Sequence, residues 1–137
     1  MTKRKIHMQA GSRGVFAQVT VTSRPMESQS PQVLISDHAF DYLIESHGEK
    51  TWFPSSDCFL RSASEAGAHL ALKDLSISHL QIVIESIYFH LVDATRSGFA
   101  LAAYEATYEE LSGMRRIKTD MICAHDLEAI EARLDSK

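Results

Sequence analysis

The stretch Leu80 to Leu111, LQIVIESIYFHLVDATRSGFALAAYEATYEEL, constrains the fold more than any other part of the chain. Leu80, Ile82 and Ile84 recur at a period of two, which suits a strand with one buried face. The pattern breaks across Tyr88 to Arg96, where Asp93, Thr95 and Ser97 each carry an oxygen suited to capping a helix start. Phe99, Ala102, Ala103, Ala106 and Leu111 then follow at helical spacing. Such a strand, turn and helix hide apolar surface between them and leave the turn projecting at one end. His90 in that turn is therefore the first candidate for a recognition residue.

The segments before this unit read as strands and one helix. Residues 3–10 place Ile6, Met8 and Ala10 on one side and Lys5, His7 and Gln9 on the other. The GSRG connection of Gly11 to Gly14 leads into Val15, Ala17, Val19 and Val21, which alternate in a second strand, so the two form a hairpin closed by Arg24-Pro25. MESQSPQ reads as a loop and Val33 to Ile35 as a short third strand, with an irregular insertion over His38 to Lys50. A helix is expected from Ser55 or Ser56, with Phe59, Ala63, Ala66 and Leu70 on its inner stripe and with Gly67 either ending it early or only weakening it. Ser112-Gly113 is a stop signal for the second helix. Ile117, Thr119, Met121 and Cys123 alternate as a final strand, and Leu127, Ile130 and Leu134 mark a last helix. The order βββαβα with this coda predicts an α+β two-layer sandwich, a single domain over 1–137 with its core at about 3–113 and an extension over 114–137.

Composition limits what such a domain binds. The chain has 137 residues with 45% hydrophobic content, enough to bury roughly two-thirds of its unfolded surface. Its 14 basic and 18 acidic residues give a net charge of -4, so any nucleic-acid contact must come from a local patch. Arg4, Lys5, Arg13, Arg24, Arg115, Arg116 and Lys118 form such a patch if the first and last strands are neighbours. Two distant cysteines, a basic start with no apolar run behind it and the lack of any long apolar stretch point to a cytoplasmic protein with no membrane partner. Cys58, Cys123 and His125 lack the repeated spacing of zinc ligands, and Cys58 beside Asp57 reads better as a packed residue than a nucleophile. No cofactor and no enzymatic activity are expected.

Three segments resemble domain four of elongation factor G, the translocation factor of the ribosome. They are SRGVFAQVTV at Ser12 to Val21, WFPSSDCFLRSASEAG at Trp52 to Gly67, and IVIESIYFHLVDATRSGFALAA at Ile82 to Ala103. The resemblance implies a fold like the second domain of the small-subunit ribosomal protein S-five, with a left-handed βαβ crossover that the general handedness rule would not favour. It also implies two RNA-touching tip loops. One would hold Phe53, Pro54, Ser55 and Ser56; the other would hold His90, Asp93 and Thr95, flanked by Tyr88, Phe89 and Arg96. The expected partner is the ribosome or ribosomal RNA.

The departures open an alternative. Ile87, Tyr88 and Phe89 precede His90 and Leu91 follows it, an apolar surround that suits a protein partner or self-association better than RNA. No Gly-x-x-x-x-Gly-Lys-Ser/Thr loop is present in this chain, so no nucleotide is expected to be held in that way.

Overall fold

The structure, a computed structural model, describes residues 1–10, 13–27, 29–41, 59–89 and 93–135. Strands β1 (Thr2–Ala10), β2 (Arg13–Pro25), β3 (Gln32–Ile35) and β4 (Leu80–Tyr88) form one mixed sheet in the order β1-β2-β4-β3. Helix α1 (Phe59–Asp74) connects β3 to its parallel neighbour β4, and α2 (Arg96–Ser112) and α3 (Ala124–Asp135) follow. The protein is thus α+β, with helices layered on a four-stranded sheet, as the sequence predicted.

The sheet sorts its residues by alternation. In β1 and β2, Arg4, Ile6 and Met8 pair with Val19, Ala17 and Val15, and this row faces the helices. Lys3, Lys5 and His7 pair with Thr20, Gln18 and Phe16 on the opposite face. Antiparallel β2 and β4 continue the sorting, with a register irregularity at Thr20/Val21. Ile82, Ile84 and Ile87 thereby join Val19 and Val21 in the core, while Ser86 Oγ donates to Thr20 Oγ1 at 3.1 Å on the other side.

Helix α2 is buried continuously from Gly98 to Thr107, more than the predicted stripe of Phe99, Ala102, Ala103 and Ala106. It packs on β1 and β2, on α1 and on α3, so it has almost no wet face, and its small residues let all of these neighbours approach. Thr95 caps its start, its Oγ1 accepting from the Gly98 N–H at 3.0 Å. Gly113 closes it at φ 75, donating to the Glu109 carbonyl at 2.9 Å.

Helix α1 corrects the expected stripe. Leu60, Ala63, Ser64, Gly67, Ala68, Ala71 and Leu72 are buried, whereas Phe59 is 43% exposed and Ala66 and Leu70 are only half-buried. Gly67 does not end the helix, which runs on to Asp74. A Cβ there would lie 2.0 Å from the Ala100 carbonyl oxygen, so glycine allows α1 and α2 to touch backbone to backbone. The predicted helix start at Ser55 or Ser56, and most of the insertion over 38–50, fall outside the described residues.

The final strand expected over 117–123 is also corrected. Only a single bridge, His7 to Met121, joins it to β1, with His7 N–H donating to the Asp120 carbonyl and Ile122 N–H to that of His7. The rest of the segment is held by a side chain. Fully buried Arg4 reaches from β1 and donates from Nη2 to the carbonyls of Ile117 and Thr119. No described helix is long and apolar enough to cross a membrane.

Candidate functional site

The end of β4, the start of β2 and the starts of α1 and α2 gather at one end of the molecule. The chain leaving β4 turns back at Asp93, whose carbonyl accepts from the Phe16 N–H at 3.1 Å. Gly14 leaves room for this turn, since a Cβ there would meet the Asp93 carboxylate oxygen at 3.0 Å. Gly98, at the start of α2, lies against Val15, where a Cβ would come within 2.9 Å of a methyl.

The predicted site residues divide between this end and the interior. Phe89 is buried, and its ring meets Phe40 edge-on at 6.1 Å between centroids. The Arg61 guanidinium lies over Phe40 at 5.1 Å, so Phe40 ties the first turn of α1 to the end of β4. Phe89 is therefore part of the core, not of an exposed apolar tip. Tyr88 lies at the end of β4, not in the turn, and is 37% exposed. It pairs with Gln18, and its ring meets Phe16 edge-on at 5.9 Å on the face away from the helices.

Thr95 acts as the α2 cap described above. Arg96 is not a free tip cation: it donates to Glu131 at 2.8 Å and to Asp135 at 3.1 Å, both on α3. Those carboxylates offset a positive charge placed at the positive end of α2. Phe53, Pro54, Ser55, Ser56 and His90 lie outside the described residues.

Of the anticipated basic patch (Arg4, Lys5, Arg13, Arg24, Arg115, Arg116 and Lys118), three arginines are already matched by carboxylates. Arg4 is buried with Glu109 at 3.7 Å and Asp120 at 3.8 Å; Arg115 meets the same two carboxylates, and Arg116 meets buried Glu105 at 2.6 Å. Loss of hydration lowers the Arg4 pKa from its ordinary value, the nearby Arg115 charge adds to this, and the three carboxylates oppose it. The paired spacing of these charges is a fold-level property that no local signal in the sequence carries.

A cleft of about 190 Å³ between α2 and α3, lined in part by Tyr104, Arg116, His125 and Arg133, was also not anticipated. Arg133 donates to both oxygens of Asp74 at 2.6 and 2.7 Å, and the Tyr104 hydroxyl donates to the same carboxylate. Burial, and then Asp74, push the Tyr104 pKa up to about 12. Arg116 and Arg133 lie near its ring at 5.2 and 5.9 Å. Each arginine here already has its carboxylate, so the network binds α1, α2 and α3 to one another.

No family model and no curated protein matches the chain. Among solved structures, it is similar to a protein from Thermus thermophilus at 18% identity and a TM-score of 0.58, over 82% of this chain and 16% of that one. At that identity the likeness concerns the fold, and this chain spans about a sixth of the length of the protein it matches.

Proposed function

We propose that this chain is a translation-related binding domain that associates with the ribosome or with RNA in the cytoplasm, as domain four of elongation factor G does, and that it has no GTPase activity. The observation that carries this reading is the gathering of both loop flanks at one end. Arg61, Phe40 and Phe89 link the beginning of α1 to the end of β4, while Asp93 and Thr95 lead from that end into α2. Two segments anchored in this way can present their intervening residues to one partner. The sheet order and the parallel β3–α1–β4 connection are compatible with the ribosomal-protein S-five type of fold, and we extend the proposal to its left-handed crossover.

Co-sedimentation with ribosomes at low salt, with release as salt rises, tests this reading. His90→Ala should weaken that association by about 1 to 3 kcal/mol, the range for a lost charge-assisted contact. Ribosomes that leave the protein in the supernatant at every salt concentration would overturn it. Saturable GTP binding by this chain would overturn the second half of the proposal.

A second reading, a homodimeric interaction module, has one observation in its favour: Leu34 and Tyr88, 48% and 37% exposed, share the face of the sheet away from the helices. A monomer by sedimentation equilibrium at working concentration would remove it.

A further inference from the structure

Arg96 carries its charge at an unfavourable place, and so do the two carboxylates that hold it. It is the first residue of α2, directly after the Thr95 cap, where the aligned backbone amides already present partial positive charge, and the first turn of α2 has no acidic side chain. Asp135 closes α3 and Glu131 stands one turn before it, at the end of a helix that presents partial negative charge. Each group is therefore misplaced on its own helix, and their pairing at 2.8 and 3.1 Å offsets both mismatches. The opposite arrangement, an acid starting α2 and bases ending α3, would join the helices equally and suit both termini. Keeping a cation at the start of α2 against this local preference points to a use for it there.

The hold is one that an incoming anion can break. The Arg96, Glu131 and Asp135 side chains are 46%, 39% and 64% exposed, so solvent and salt weaken their attraction. Glu131 and Asp135 line an open cleft of about 470 Å³, with Ser97 and Leu127 on its walls, which gives both carboxylates room to turn away. Meanwhile α3 stays seated on α2 through buried Leu127 and Ile130, and Arg133 keeps its own carboxylate, Asp74. A phosphate matches the guanidinium fork as a carboxylate does, with two parallel hydrogen bonds.

We propose that Arg96 is a phosphate contact at this end of the molecule, and that Glu131 and Asp135 occlude it until RNA displaces them. Helix α3 is thus an autoinhibitory element, and binding is set by competition between an internal pair of acids and an external phosphate. The inference rests on the RNA-associated reading above and adds its control.

The test is co-sedimentation with ribosomes across a salt series. Glu131→Gln with Asp135→Asn removes the occluding charges and should tighten association about fivefold. Arg96→Gln breaks the same pairs, yet it should weaken association about tenfold and lower the salt dependence by about one phosphate contact. In an Arg96→Gln background the double carboxylate change should have little further effect, because no cation remains to be released. Glu128, one turn before Glu131, is exposed, lines the same cleft and makes no ion pair among the described residues. Glu128→Gln should therefore change affinity by less than about twofold.

Equal association of the unmodified protein and the Glu131→Gln, Asp135→Asn variant would overturn the occlusion and leave the ribosome-associated reading standing. A gain of the same size in Glu128→Gln, or in the Arg96→Gln background, would do the same, since that is the effect of a weaker negative field and not of a released arginine. Absence of sedimentation at every salt concentration, in the unmodified protein and all variants alike, would overturn both.

Discussion

Among the described residues, the helix side of this protein and the sheet face turned away from it handle charge in different ways. On the helix side, Arg4, Arg96, Arg115, Arg116 and Arg133 each lie against carboxylates, and Glu105 is buried to make this possible. On the sheet face, Lys3, Lys5 and Arg24 have no acidic partner among the described residues. Arginine suits the first task, because its planar fork can satisfy several oxygens at once; a lysine on a flexible stem suits a wet surface. Net charge alone therefore gives a misleading picture of what each face offers.

The largest expected effect tests how closely the helix side is packed. Gly67→Val should destabilise the protein by about 4 kcal/mol, since the new side chain must displace backbone at Ala100 and not a movable side-chain end. Gln18→Leu on the face away from the helices, by contrast, should change stability by no more than about 0.5 kcal/mol. Urea unfolding of both variants checks the difference, and a mild Gly67→Val would show that α1 and α2 can separate without loss.

Next in size is Arg4→Met, with an expected cost of about 3 kcal/mol. The substitution keeps much of the side-chain volume but leaves the Ile117 and Thr119 carbonyls without their donor. Hydrogen exchange should rise first at Ile122, whose N–H bonds to the His7 carbonyl in the segment that Arg4 holds. Uniform protection across 117–122 in the variant would mean that the bridge at Met121 suffices.

Asp74→Asn comes third, at about 1 kcal/mol near neutral pH, because the pair it breaks with Arg133 is partly exposed. The Arg133 hydrogen bond, assisted by Tyr104, holds the Asp74 carboxyl below its ordinary value. A depressed folded-state pKa gives stability that is present above the ordinary carboxylate range and lost as pH falls through the folded value. The gap between wild type and Asp74→Asn should therefore close as pH drops from about 5 towards about 3. A gap that persists in acid would locate the effect in packing.

How far the sequence reveals these features depends on whether their cause is local. The strands could be read because Ile6, Val15 to Val21 and Ile82 to Ile84 alternate, and the limits of α2 because Thr95 and Gly113 act within one turn. The inner face of α1 could not, since contact with Ala100 is decided by Gly67, Ala68 and Ala71 and not by the bulkier Phe59 and Leu70. Arg4 shares the register of Ile6, which already pointed inward; its charge suggested a surface residue. The alternation of Ile117 to Cys123 looks like a strand but makes one bridge, because carbonyls there bond to a guanidinium instead of a ladder. Pairs such as Asp74 with Arg133 and Arg96 with Glu131, 59 and 35 residues apart, depend on how helices pack. Among the predicted site residues, Thr95 could be read as a cap for the same local reason, whereas the burial of Phe89 depends on Phe40 arriving from beyond β3.

The smallest expected effect on stability is Lys5→Glu, and it bears most directly on the contrast between the two faces. Reversing a cation on the helix side would set two carboxylates against each other, as Arg116→Glu would do beside buried Glu105. Lys5 has no such partner among the described residues, so its reversal removes no pair and should change unfolding free energy by no more than about 0.5 kcal/mol. The chain would move from a net charge of -4 to -6, and the sheet face would lose its positive character near Tyr88. Urea unfolding at low and high salt separates the two accounts. Equal stability of Lys5→Glu and wild type at both salt concentrations, beside a clear loss for Arg116→Glu, is the outcome expected of a surface whose charge is not used to hold the fold. A salt-sensitive loss in Lys5→Glu would mean that Lys5 already has an acidic neighbour, and would narrow the contrast to Lys3 and Arg24.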